Sequence, residues 1–335
     1  MSCERAADDE GRRDMRFVVT GAGGFLGSNV VRELLAETDH DVVAVSSQTD
    51  RELAAQLERA PYPALRRFPQ VHPRTRLLEA GFLRDGDIVI NCAFPWNRGG
   101  RAMADGLEYL TRLFQSAHAV ALHTFVNVSS QSVYSQARTE AADESSPVEC
   151  DTPYSTGKYA MELAAELVLP PKVLVNARMS SLIGPGYDVR IVNRFIARFL
   201  ADEPVSIQGG DQVFDFMDVR DAARALIAVA LAGPPEGSAA LNIGSGAPRT
   251  LRDIAQTVAD VVRTHTGHDP RIAWEPSAGD DRTLGLDSGL LRREYGFAPR
   301  HTLEDSALSI LQAMTSAQSA SVGETPTGSV EGGRR

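Results

Sequence analysis

The sequence predicts an α/β fold, a doubly wound parallel sheet carrying a smaller α/β lobe in its C-terminal half. Three observations lead to it. Short apolar runs alternate with helix-like stretches through the first half of the chain, a pattern that parallel strands joined by helical crossovers produce. A glycine-rich turn separates the first apolar run from the first helical stretch, at the place where such a fold binds its ligand. The length of 335 residues suits two lobes and a sizeable core.

Arg16-Phe17-Val18-Val19 is an apolar run suited to a buried strand, and Thr20-Gly21-Ala22-Gly23-Gly24-Phe25-Leu26-Gly27-Ser28-Asn29 follows it directly. Residues 30–36 then read as a helix. Strand, glycine-rich turn and helix form the first half of a dinucleotide-binding unit, in which N–H groups at the helix start receive a pyrophosphate. Gly21, Gly24 and Gly27 allow the tight turn, the close backbone approach and the packing of helix on strand. Phe25 and Leu26 share the turn and are candidate cofactor contacts with them. Asp41–Val45 reads as the second strand, 87–93 as the third and 124–128 as the fourth, with helical stretches at 51–59 and 102–117. Ser46 and Ser47 follow the second strand and Ala93 ends the third, so all lie at the carboxyl edge of the sheet, where the cofactor is expected. Further on, 190–200 and 251–264 read as helices, and 215–219 and 241–243 as returns to the sheet. Residues 1–14 and the Ser/Gly/Thr-rich stretch 316–335 read as disordered tails.

Only two of the 34 basic residues are lysine, Lys158 and Lys172, and the first stands four residues after a tyrosine in Pro153-Tyr154-Ser155-Thr156-Gly157-Lys158. A surviving lysine marks a place where a wide planar guanidinium does not fit. Helical i, i+4 spacing stacks Tyr154 and Lys158 on one face, about 5–6 Å apart at Cβ. A cation held there favours phenolate and is expected to lower the tyrosine pKa from its reference of about 10. Tyr154 therefore reads as a candidate acid/base.

Together these motifs resemble the extended short-chain dehydrogenase/reductase family, in its branch of sugar epimerases, dehydratases and ketoreductases. The matching pieces are residues 20–27, the strand Phe125-Val126-Asn127-Val128-Ser129-Ser130 with Val133-Tyr134 after it, and residues 154–158. Ile183-Gly184-Pro185-Gly186, Asp215-Phe216-Met217-Asp218-Val219-Arg220-Asp221-Ala222-Ala223 and Leu241-Asn242-Ile243-Gly244-Ser245-Gly246 extend the likeness over about residues 15–315. The resemblance implies a Rossmann-type domain over 15–183 with returning segments at 212–244, and a substrate-binding lobe made of 184–211 and 245–315. It implies that Ser130 hydrogen-bonds the reacting oxygen and that Tyr154 exchanges a proton with the substrate while hydride passes to or from a nicotinamide. Lys158 would bind the ribose hydroxyls. Gln131, Ser181, Arg194 and Phe214 fall at substrate-binding positions, and the implied assembly is a homodimer through two helices per subunit.

Departures from the family pattern narrow the chemistry. Dehydratases of this branch carry an Asp-Glu pair after the catalytic hydroxyl residue, whereas Gln131-Ser132 stand here. What remains is oxidation or reduction of one carbinol, or epimerisation through a transient ketone. NAD-preferring relatives end the second strand in an aspartate that accepts the ribose 2′-hydroxyl and repels a 2′-phosphate. Val45-Ser46-Ser47-Gln48 replaces it, with Arg32 and Arg51 as phosphate partners, so the cofactor is read as NADP or NAD, with NADP favoured. Nucleotide-sugar relatives clamp a diphosphate with arginines where this chain has Phe214 and Ser277, and carry an asparagine where it has Ser181. Arg190, Arg194 and Arg198, one turn apart, are candidate replacements for the clamp. Gly106 stands in place of an asparagine that orders the active-site helix of relatives.

A net charge of −10 and a pI near 5.3, without a run of basic residues, argue against nucleic acid or an anionic membrane as the main partner. Cys3, Cys92 and Cys150 make no even framework and no metal spacing, and His265 and His268 have no further ligands nearby. No apolar run reaches membrane-spanning length, so a cytoplasmic enzyme without a metal is expected. The expected activity is reduction of a keto group on a sugar-like substrate. A sugar epimerase is the alternative, and a non-catalytic dinucleotide-sensing regulator is the reading from another class. The full set of Ser130, Tyr154 and Lys158 argues against the regulator, since a sensor needs only the cofactor half.

Overall fold

A computed structural model describes residues 15–58, 61–95, 99–276 and 281–323. The strands are β1 (Arg16–Thr20), β2 (Asp41–Val45), β3 (Gln70–His72), β4 (Ile88–Asn91), β5 (Thr124–Ser130), β6 (Leu174–Met179), β7 (Ser181–Ile183), β8 (Val205–Gln208), β9 (Val213–Phe214), β10 (Phe216–Asp218), β11 (Ala240–Ile243), β12 (Arg249–Thr250), β13 (Ile272–Glu275) and β14 (Thr283–Leu284). The helices are α1 (Phe25–Glu37), α2 (Asp50–Leu57), α3 (Gly99–His118), α4 (Pro153–Val168), α5 (Ile191–Leu200), α6 (Val219–Ala232), α7 (Leu251–Thr266), α8 (Gly289–Tyr295) and α9 (Leu303–Gly323).

The main sheet is parallel throughout, in the order β11-β6-β5-β4-β1-β2-β3, which is the doubly wound arrangement expected from the sequence. Its strands are apolar at nearly every position because helices cover both faces. Period-two alternation sorts the side chains. Phe17, Val19, Ala44, Ile90, Val126 and Ala177 pack with α1 and α6, whereas Val18, Val43, Val89, Phe125 and Leu174 pack with α3 and α4. At the carboxyl edge, in register, a polar rung crosses four strands. Thr20 donates to Asn91 (2.6 Å), Asn91 to Asn127 (3.0 Å), Asn127 to Asn176 (2.9 Å) and Asn176 to Glu166 on α4 (2.9 Å). Each buried amide is thus satisfied by its neighbour, and the rung fixes register just below the ligand edge.

A second core, built from Ile183, Val192, Phe195, Phe199, Ile254, Val258, Val262, Ile310 and Leu311, joins α5, α7 and α9 beside the sheet. Some elements differ from the sequence reading. The stretch 215–219 does not return to the main sheet, because β10 pairs with β7 in a separate two-stranded sheet. Strands β3 and β6 complete the main sheet without having been anticipated, and α1 begins at Phe25, inside the glycine-rich turn. The final helix runs past residue 315 to Gly323, since no proline or glycine interrupts it before that point. The remaining tail segments, 1–14 and 324–335, lie outside the described residues.

Candidate active site

The turn after β1 is a cradle of backbone N–H groups. Gly24 caps α1 with no side-chain hydrogen bond, and the first turn carries no acid, so the leading amides are open to an anion. Gly21 adopts φ +64°, and a Cβ there would lie 2.8 Å from the Ala93 nitrogen. At Gly27 a Cβ would drive into the Gly21 carbonyl, so this glycine sets the approach of α1 to the turn. Ala93 donates from its backbone to Thr20 Oγ1 (3.4 Å), which holds the two strand ends together.

At the end of β2, Ser46 is buried and accepts from the Gln48 N–H (3.0 Å), while Ser47 is exposed. The Gln48 amide donates to Gln56 (2.9 Å), which donates in turn to the Gly23 carbonyl (3.2 Å), so these side chains close on the cradle. Gln48 Oε1 is buried and has no hydrogen-bond partner, an acceptor of the kind a ribose hydroxyl would satisfy. Arg32 is not available to a 2′-phosphate. Its guanidinium stacks on the Tyr62 ring at 4.6 Å and its N–H groups are spent on the Leu57 and Pro63 carbonyls. Arg51 is exposed on α2. The cradle and the Gln48 acceptor together fit a dinucleotide.

Thr152 and Ser155 form a capping box that starts α4 and places Tyr154 in its first turn, opposite the end of β5. There the Tyr154 phenol feels the Ser130 hydroxyl, which favours its ionised form. Ser130 Oγ also accepts from the Ser132 N–H (3.2 Å) and hydroxyl (3.0 Å), so the serine is held in one orientation. Lys158 is buried one turn along α4. Its ammonium donates to the Val128 carbonyl (2.7 Å) and lies 4.2 Å from the centre of the Phe94 ring and 5.9 Å from that of Tyr154. Phe94 packs edge-on against Tyr154 at 5.4 Å.

The expected lowering of the tyrosine pKa by Lys158 is not found. Burial pushes the Tyr154 phenol above its ordinary value, partly offset by the Ser130 hydrogen bond and then by the Arg190 cation. Lys158 points its charge at a carbonyl and an aromatic face, and burial brings its own pKa down to about 8 against the pull of Cys92 and Glu162.

Behind these residues runs a buried polar chain that the sequence reading missed. Glu162, one turn after Lys158, accepts from Ser129 Oγ and pairs with Arg178 of β6 at 2.7 Å, with both side chains almost fully enclosed. Arg178 donates to the Tyr134 hydroxyl (2.9 Å), which donates to Asn242 of β11 (2.9 Å). The chain fixes β5, β6, β11 and α4 relative to one another. The i, i+4 spacing of Lys158 and Glu162 was visible in the sequence; nothing local pointed to Arg178.

The substrate positions fare unevenly. Gln131 is buried and its Oε1 accepts from Arg138 (2.5 Å), so it braces the turn after Ser130. Ser181, half-buried at the start of β7, donates its N–H to the Asp215 carbonyl (3.1 Å). Phe214 stacks on Phe216 at 5.6 Å and brings no charge, while Ser277 lies outside the described residues. Arg194 and Arg198 are exposed, Arg198 pairing with Glu203 at 3.6 Å; Arg190 is half-buried, with its guanidinium 5.0 Å from the centre of the Tyr187 ring. Gly106 has a packing reason, since a Cβ there would run into the ring of Pro95. No helix among the described residues is long and apolar enough to cross a membrane.

Known proteins resemble this chain over most of its length. The low-salt glycan biosynthesis protein Agl12 of Haloferax volcanii is 26% identical over 309 residues, covering 87% of this chain and 96% of that protein. The dTDP-glucose 4,6-dehydratase of Streptomyces griseus is 28% identical over 309 residues, covering 86% of this chain and 90% of that protein. Among solved structures, UDP-glucuronic acid 4-epimerase from Bacillus cereus in complex with NAD superposes with a TM-score of 0.72 at 20% identity, over 90% of this chain and 99% of that one. Residues 17–244 match the pattern of one family, and with the glycine cradle and the parallel sheet inside that span, the chain belongs to the NAD dependent epimerase/dehydratase family.

Proposed function

We propose that this chain interconverts alcohol and ketone at one carbinol carbon of a sugar-like substrate, with NAD as resident cofactor, and runs the reaction as an epimerisation. Tyr154 in the first turn of α4, with Ser130 at the end of β5 and the Lys158 ammonium 5.9 Å from the Tyr154 ring centre, carries the reading. When bound, the dinucleotide would supply the hydride acceptor and donor. The chain's own residues manage position and proton. Ser130 holds the substrate oxygen beside the phenol, and Tyr154, protonated because it is buried, gives its proton to the carbonyl oxygen on reduction and recovers it on oxidation. The Arg190 charge favours negative charge as it develops on the phenol. Gly21, Gly24, Phe25, Leu26 and Gly27 would hold the pyrophosphate, Ser46, Ser47 and Gln48 the adenosine ribose, and Ala93 and Lys158 the nicotinamide ribose.

NAD is preferred to the NADP of the sequence reading on two grounds: Arg32 is committed elsewhere, and Gln48 Oε1 is an acceptor awaiting a hydroxyl. Elimination of water is the poorer fit, since Gln131 and Ser132 bring neither acid nor base to the carbon next to the carbinol. A second reading, net reduction of a ketone by NADPH, is favoured by Ser46, which places no carboxylate against a 2′-phosphate. The test is to denature the purified protein and assay released NAD, then incubate native protein with sugars, uronates and sugar phosphates without added cofactor and read configuration by NMR. Bound NAD and interconversion without net change in nicotinamide redox state are expected. Cofactor-free protein that consumes added NADPH would establish the second reading, and no hydride transfer in either format would overturn both.

A further inference from the structure

The segment between β7 and α5 rests on the glycine cradle at two points. Tyr187 stacks on Phe25, with ring centres 4.3 Å apart and planes 18° from parallel. Gly184 meets the tip of the same ring, where a Cβ would stand 3.3 Å from Phe25 Cζ and 2.7 Å from Val219 Cγ1. The missing side chain lets the segment settle onto Phe25. Three further contacts hold it there. Ile183 pairs with Asp218 in the β7–β10 ladder, fully buried Asn193 donates to the Gly184 carbonyl (3.0 Å), and the Arg190 N–H reaches the Tyr187 carbonyl (3.1 Å).

Core packing does not account for the stack. Tyr187 is half-buried and belongs to none of the four apolar clusters of the described residues, and Phe25, also half-buried, only borders the first of them. What Phe25 contributes besides its ring is backbone. It is the first residue of α1, so its N–H is one of the leading amides that the cradle offers to a pyrophosphate. The stack therefore joins the cofactor half of the site to the segment that leads into the substrate lobe, and does so at a residue whose amide belongs to the cradle.

We infer that Tyr187 is a positioning residue for the dinucleotide: its ring clamps Phe25 and the cradle amides behind it, and the stack parts before the cofactor leaves. The inference rests on the cradle as the dinucleotide site and not on which reaction follows. A near-parallel aromatic pair adds to the burial of its two rings, and the loss of such a contact is felt in the rate of release more than in the rate of encounter. A clamp of this kind suits a cofactor kept through many turnovers.

Stopped-flow displacement tests it without turnover. Full-length protein loaded with NADH is mixed with excess NAD, and the loss of bound NADH fluorescence is followed for wild type, Tyr187→Leu, Tyr187→Phe, Phe25→Leu and the double variant Tyr187→Leu with Phe25→Leu, whose folding is verified by thermal melts. Release from Tyr187→Leu should be about tenfold faster than from wild type, and release from Tyr187→Phe, which keeps the ring, should stay within about twofold. Phe25→Leu and the double variant should release at the rate of Tyr187→Leu, because all three lack the same stack. Fast release from wild type would count against a resident cofactor only, since the ratio of variant to wild type still decides the clamp. Release from Tyr187→Leu within about twofold of wild type, equally fast release from Tyr187→Phe, or additive effects in the double variant would overturn the inference. Protein that binds no NADH would overturn it together with the cradle.

Discussion

Replacing Glu162 by glutamine removes one charge and no volume from the middle of the fold. The Arg178 guanidinium, 2.7 Å from that carboxylate with its side chain 6% exposed, is then an uncompensated buried cation. Breaking such a pair from one side costs about 3–5 kcal/mol. With an unfolding entropy of about 2.1 cal/mol/K per residue, a chain of this length has roughly 0.7 kcal/mol/K at its midpoint, so Tm should fall by about 4–7 °C. Differential scanning calorimetry reads this directly. The double variant Glu162→Gln with Arg178→Met should recover much of the loss, because the stranded cation is gone. A Tm within about 1 °C of wild type for the single variant would refute the view that this pair is closed off from water. The same substitution reaches the site by a second route. Glu162 is one of the charges that keep the Lys158 pKa from falling further, so its removal should lower that pKa.

Three further outcomes follow from the same geometry. The value of kcat/KM in the ketone-reducing direction should be level below about pH 8 and fall above it, as Lys158 loses the charge that its burial has already weakened, and the limb should move to lower pH in Glu162→Gln; a flat profile to pH 10 would contradict the assignment. Gly27→Ala should abolish dinucleotide binding in fluorescence titration while leaving a folded protein, because the added methyl meets the Gly21 carbonyl and pushes α1 off the turn; near-normal affinity would show that the cradle is not the binding site. NADH should bind more tightly than NADPH, and Gln48→Leu should reduce that difference; tighter NADPH binding to wild type would restore the preference read from Ser46.

The fold was legible in the sequence because its strongest signals are local. An apolar strand, a glycine-rich turn and a helix must follow one another within a few residues, and helix-period spacing alone puts Tyr154 and Lys158 on one face. What the sequence concealed depends on pairing across the sheet. The rung of Thr20, Asn91, Asn127 and Asn176 uses residues 71, 36 and 49 positions apart, and each alone looks like an ordinary strand-end polar residue. The electrostatics failed for the same reason. Spacing on α4 placed Lys158 near Tyr154 but could not tell that Phe94 and the Val128 carbonyl would claim its ammonium, or that Arg190, 36 residues beyond Tyr154 along the chain, would be the cation favouring the ionised phenol. Arg32 likewise read as a free cation until Tyr62, Leu57 and Pro63 folded over it.

The central claim is that Tyr154 is the proton-transferring group of a carbinol-oxidising site, and Tyr154→Phe tests it most directly. The substitution removes one hydroxyl and leaves the ring that packs on Phe94. Single-turnover hydride transfer in the variant should fall by about 10²–10⁴-fold, while NAD affinity stays within about twofold of wild type. Hydride transfer at the wild-type rate would contradict the account.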